Sequence, residues 1–108
     1  MLPELKTTLT TDPFSPKKLI QVLSQHKPLH ECYALAAGVF EGYTVAQHTL
    51  IVLENAERYH HQLRDTVAPL TWPQFRLFLA LHDIGKGLAF QNAPYGTNTF
   101  QMKKNELQ

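Results

Sequence analysis

Cysteine is almost absent from this chain: Cys32 is the sole one in 108 residues. No intrachain disulfide can form, so packing must hold the fold, and the usage fits a reducing compartment. Long hydrophobic runs are also missing. No stretch approaches the roughly 18 apolar residues that span a bilayer. Met1 to Thr11 has no apolar core of signal-peptide length. A soluble, cytoplasmic protein without a membrane partner is expected. Excess charge is missing too. Ten Lys+Arg stand against nine Asp+Glu, for a net charge of +1. That provides no basic face for a nucleic acid, and the pair Lys103-Lys104 is too short to make one. Strand patterns are weak throughout, and no internal repeat is visible.

What remains is helical patterning. With 44% apolar and 18% charged residues, the chain reads as one globular domain rather than a disordered one. Its size buries somewhat over about 60% of the unfolded surface, enough for a modest core. Residues 1–14 contain threonine and proline without a clear period and read as an N-terminal arm. Ser15-Pro16 has the form of a helix start, Ser at the N-cap and Pro in the first position. Leu19, Ile20, Val22 and Leu23 give that helix an apolar face, and it should stop before Pro28. An Ala- and aromatic-rich stretch over 29–40 predicts a second helix, with Gly38 able to end it. Thr44 and Gln47 fit a capping box. The helix they open should run to about His60, with Val45, His48, Thr49, Val52, Asn55, Ala56 and Tyr59 at helical spacing. A polar connection over 61–70 follows. Thr71 and Gln74 form a second capping box, before a helix apolar almost all round that delivers His82 and Asp83 at its end. Such a helix belongs in a core. Residues 88–99 read as a loop, and 100–108 as the start of another helix. The expected fold class is all-α, a bundle of about five helices over residues 15–108.

The chemistry-bearing stretch is Leu81-His82-Asp83-Ile84-Gly85-Lys86-Gly87. It places an imidazole and a carboxylate side by side after an apolar run, and both are ligands of first-row metals. A buried aspartate is costly unless paired or metal-bound. His48 sits on or beside the buried face of its helix, where a lone histidine is more often a satisfied core residue than a ligand. A lysine at a helix C-terminus, such as Lys86, also complements the helix dipole.

Other constellations fail on inspection. His30-Glu31-Cys32-Tyr33-Ala34 lacks the second histidine of a zincin motif, and Gly85-Lys86-Gly87 lacks the flanking residues of a P-loop. His60 and His61 read as solvated neighbours, and Cys32 as a small buried hydrophobe. Core packing is the better reading of Trp72 and Tyr95.

Residues 41–87 resemble the HD superfamily of metal-dependent phosphohydrolases. Glu41-Gly42-Tyr43-Thr44-Val45-Ala46-Gln47-His48-Thr49-Leu50 resembles the segment that carries the family's first histidine. Ala80-Leu81-His82-Asp83-Ile84-Gly85-Lys86-Gly87 resembles the segment with its His-Asp pair. The resemblance covers slightly under half the chain. It implies an HD-like helical fold and a divalent metal (Mn, Fe, Co, Ni, Zn or Mg) held by His48, His82 and Asp83. It also implies Asp83 and Lys86 as catalytic residues, with Lys86 on the substrate phosphate. The substrate would be a phosphomonoester or phosphodiester, a phosphorylated small molecule or nucleotide.

The chain departs from the family pattern at one place. The family's last aspartate comes on a later helix, whereas no Asp follows Asp83 and the only later acid is Glu106. No histidine follows His82 either. The expectation is an N-terminal portion of the domain, incomplete at its C-terminus and weak or inactive alone, self-associating or completed by a second chain. A catalytically incomplete HD-like binding, regulatory or assembly module is the alternative. A helical structural domain with an accidental His-Asp is a third reading, under which His48 would lie far from His82.

Overall fold

The structure, a computed structural model, describes residues 2–38, 42–85, 87 and 89. Lys86, the stretch 90–99 of the expected loop and the helix start expected over 100–108 lie outside the described residues. Among those described the chain is all-helical: α1 Leu2–Thr10, α2 Pro16–Leu23, α3 Lys27–Ala34, α4 Val45–Arg58, α5 His60–Leu63 and α6 Trp72–His82. None of these helices is long and apolar enough to cross a membrane.

Local sequence accounts for three of the six described helix starts. The Ser15 hydroxyl accepts from the Lys18 amide at 3.1 Å, with Pro16 behind it. Thr44–Gln47 and Thr71–Gln74 each form a reciprocal capping box, side chain to amide in both directions.

Residues 1–14 are not the expected arm. Thr7, Thr8 and Thr10 turn their hydroxyls onto the carbonyls of Pro3, Glu4 and Lys6, four residues back. That habit lets threonine sit in a helix without an outside partner. Leu5 and Leu9, one turn apart, pack against the core cluster. The segment is therefore helix α1, lying on α2 and α6.

Helix α3 is also shorter and earlier than its pattern predicts. Pro28 stands in its first turn, and the helix ends at Ala34 rather than near Gly38. The chain then extends. Ala36 bridges Thr44, with Ala37 N–H donating to the Tyr43 carbonyl and Val45 N–H to the Leu35 carbonyl, both at 2.8 Å. Gly38 and Gly42 take φ of +78° and +75° to make this return, a region that favours glycine.

Helix α4 is central and packs against α2, α3, α5 and α6. Val45, Thr49, Leu53 and Ala56 form its buried face. The stripe is rotated from the expected one, so that Asn55 and Tyr59 are exposed. Helix α6 is not enclosed as its composition predicts. Of its residues only Ala80 is fully buried, and Phe78 is 54% exposed. Among the described residues only α1 and α4 cover it substantially, and Gln74, Leu77, Phe78, Leu81 and His82 border an open hollow of about 380 Å³.

One polar tie joins three helices. Arg76 on α6 donates to both carboxylate oxygens of Glu57 on α4, at 2.9 and 2.8 Å, and to the Leu9 carbonyl of α1 at 2.6 Å. Trp72 Nε1 donates to the same carboxylate at 3.0 Å. The guanidinium also lies 4.0 Å above the Phe14 ring, a favourable cation–π position. Burial pushes the Glu57 carboxyl up. The hydrogen bonds from Arg76 and Trp72 and the Arg76 charge outweigh that, so its pKa lies below the ordinary value.

A carboxyl with a lowered pKa in the folded state adds stability that is present above the unfolded value and lost as pH falls through the folded one. Acid titration should therefore destabilise wild type below about pH 4.5 more steeply than Glu57→Gln. At neutral pH Arg76→Ala should cost roughly 2–4 kcal/mol, less than breaking a fully buried pair because both partners keep some exposure. Urea melts read by circular dichroism check both, and equal acid slopes would remove the Glu57 assignment.

Candidate functional site

Helices α4 and α6 run antiparallel, since Glu57 near the end of α4 meets Arg76 near the start of α6. The start of α4 therefore lies beside the end of α6. There His48 Nε2–H donates to Asp83 Oδ2 at 2.9 Å, across 35 residues of sequence. His82 Nε2 lies 3.2 Å from the same oxygen. The three side chains are partly open to solvent, at 23%, 23% and 32% for His48, Asp83 and His82. The sequence pattern singled out these three groups, and the structure brings them together. His48 is not far from the pair, as an accidental His-Asp would have it. Lys86 lies outside the described residues.

The local electrostatics favour a cation. Asp83 is the C-cap of α6, so its carboxylate stands at the negative end of the helix dipole, where cations are preferred. His82 Nδ1–H donates to the Leu79 carbonyl at 2.8 Å. With that proton on Nδ1, a neutral ring turns the Nε2 lone pair toward an anionic oxygen. The contact becomes attractive only when a positive charge, a second ring proton or a metal ion, lies between them. A ring nitrogen bonded to a backbone carbonyl is also how metal-binding histidines are usually oriented.

Imidazole and carboxylate are donor types that first-row divalent ions accept, at about 2.0–2.2 Å. The groups meet as a hydrogen-bonded triad, however. Among the described residues no group of three or more His, Cys, Asp or Glu side chains is placed so that it could hold a metal ion.

Other candidates behave differently. His60 is half-buried and packs against Trp72 in a tilted arrangement, with 4.3 Å between ring centroids, so it is not the solvated residue its neighbourhood suggests. His61 remains exposed, and Cys32 is only partly buried. Tyr95 lies outside the described residues.

Sequence reasoning missed Tyr33. Its hydroxyl donates to the Ala80 carbonyl in the last turn of α6, from a side chain only 2% exposed. The one signal was an isolated phenol in an otherwise small and apolar stretch. No family model, curated protein or solved structure matches this chain.

Burial pushes the Tyr33 phenol up from 10.0 to about 12. Between those values the unfolded chain releases the proton while the folded one keeps it, so stability falls as pH rises. The contribution is complete below pH 10 and should be lost toward pH 12, by an amount on the order of 2–3 kcal/mol. Tyr33→Phe should show a correspondingly flatter alkaline limb in denaturant melts. Parallel limbs for the two proteins would contradict the assignment.

Proposed function

We propose that this chain carries the N-terminal ligand set of an HD-type, metal-dependent phosphohydrolase, acting on a phosphomonoester or phosphodiester such as a nucleotide. The observation that carries the reading is the convergence of His48 and His82 on Asp83 Oδ2, at the two segments that resemble the family's motifs. His48, His82 and Asp83 would hold the metal. When bound, such an ion activates water and polarises a phosphoryl oxygen.

The chain's own groups have distinct parts in this scheme. Asp83 would supply the anionic donor, beside the His48 ring. The Leu79 carbonyl keeps the His82 proton on Nδ1, leaving Nε2 for coordination. Lys86 would neutralise charge on the substrate phosphate. A cytoplasmic setting suits a chain with one unpaired cysteine.

One observation favours a second reading. After Asp83 the only acid is Glu106, so the family's final aspartate has no counterpart in these 108 residues. The alternative is an HD-like module that binds metal and a phosphorylated ligand for regulation or assembly, without turnover. Self-association, or a second chain completing the site, belongs to either reading.

Metal content by mass spectrometry, together with hydrolysis of p-nitrophenyl phosphate and its bis-ester, separates the two. The phosphohydrolase reading expects bound metal and turnover. His48→Ala, His82→Ala and Asp83→Ala should each lower metal affinity beyond the roughly 10–100-fold typical of an outer-shell change. Bound metal without turnover supports the module. Metal content unchanged in all three variants sinks both.

A further inference from the structure

Helix α2 carries two distinct faces. Leu19, Val22 and Leu23 are buried in the core. Lys17, Ile20, Gln21 and Ser24 recur at i, i+3, i+4 and i+7, so they form a stripe beside that buried face. The stripe is one wall of a hollow of about 390 Å³, and Ala46 and Leu50 of α4 belong to the other. His30 of α3 also borders it. Both α2 and α3 pack on α4, and the hollow is the groove left between them. Its volume lies within the range of small-molecule sites, about 300–1,000 Å³.

The floor of the groove is apolar and already formed. Ile20 and Ala46 pack against the core cluster, and Leu50 is half-buried. Pro16 and Glu54 border a different hollow together, so α2 starts beside the later turns of α4 and runs toward its beginning. Lys17 therefore marks one end of the groove. Ser24, with His30 just past it in the chain, marks the other, roughly 10 Å away at the rise of an α-helix.

Charge along the groove is one-sided. Among the described residues no acid lines it. Lys18 pairs with Glu4 at 3.5 Å, whereas no carboxylate pairs with Lys17 among the described residues. The aliphatic stem of Lys17 can follow the apolar wall and leave its ammonium at the mouth.

We propose that this groove is a binding site for a small amphipathic carboxylate. Its hydrocarbon chain lies on Ile20, Ala46 and Leu50, and its carboxylate meets the Lys17 ammonium. Ala46 and Leu50 stand one turn apart on one flank of α4, and His48 projects from roughly the opposite flank. The groove thus owes nothing to the chemistry of the His48–Asp83 corner. The hollow beside Phe78 is an internal comparison. It is of similar size, about 380 Å³, but no lysine borders it. Apolar affinity alone would fill both.

Octanoate, whose extended chain is close to the groove's length, is the probe. It is titrated into the isotope-labelled full chain, with amide shifts read by nuclear magnetic resonance. Residues 17–24 and 46–50 should shift saturably while 74–82 stay unmoved. Hexanoate should bind roughly fivefold more weakly, the scale set by losing two partly covered methylenes. Octanol keeps the chain without the charge and should bind about threefold more weakly, the scale of an exposed ion pair. Lys17→Met should lower octanoate affinity by that same factor and leave octanol unchanged. Gln21→Trp sets an indole over the groove from an exposed position and should abolish binding of both.

No shift at millimolar octanoate overturns the proposal, as do shifts centred on 74–82 or spread equally over both hollows. Octanol bound as tightly as octanoate overturns it too, and so does unchanged octanoate affinity in Lys17→Met. Should Gln21→Trp fail to fold, Lys17→Met, a change at an exposed side chain, still decides.

Discussion

The antiparallel pairing of α4 with α6 is the constraint on which the rest of the fold depends. It is polar at both ends and apolar between. At one end the Arg76 fork grips both oxygens of Glu57. At the other His48 meets Asp83. Leu53 and Ala80 belong to the buried core cluster between them. Apolar contacts alone would tolerate sliding, whereas two directional ties about two and a half turns apart along α4 do not. Arg76 also reaches the carbonyl end of α1 and the Phe14 ring. The same side chain that sets the helix register thus fastens the N-terminal helix to it.

The opposite end is arranged at a cost to stability. A carboxylate at a helix C-terminus opposes the dipole, and two imidazoles crowd one of its oxygens. A structure selected for stability alone would favour a glycine cap there. Local unfavourable choices of this kind concentrate where a site needs them. The surroundings compensate through the capped carbonyls of Leu79, Ala80 and Leu81. The corner is thereby firm although its three polar side chains remain partly wet.

Features with a local cause were legible in the sequence. The Thr44–Gln47 and Thr71–Gln74 boxes are set by residues three apart, and both fall where the pattern places them. The adjacency of His82 and Asp83 at the end of α6 is likewise a matter of neighbours, and the facing position of His48 follows once the two helices pair. Features that depend on distant partners were not legible. Helix α1 carries too few apolar residues to announce itself, and its threonines satisfy themselves within the helix. The composition of α6 suggests full burial, but burial depends on how many neighbours arrive, and among the described residues Phe78 has few. The His60–Trp72 ring contact and the Tyr33–Ala80 bond join elements whose proximity only the packed fold creates.

The position of the single tryptophan has an optical consequence. Trp72 opens α6 with its indole N–H on the Glu57 carboxylate and its ring against His60. A carboxylate at the indole nitrogen and an imidazole packed beside the ring both act on the excited state. Emission from this one residue therefore reports how closely α4 and α6 are joined at the end away from the histidine–aspartate corner. Loosening of that joint can be followed separately from events at the corner itself, without any added label.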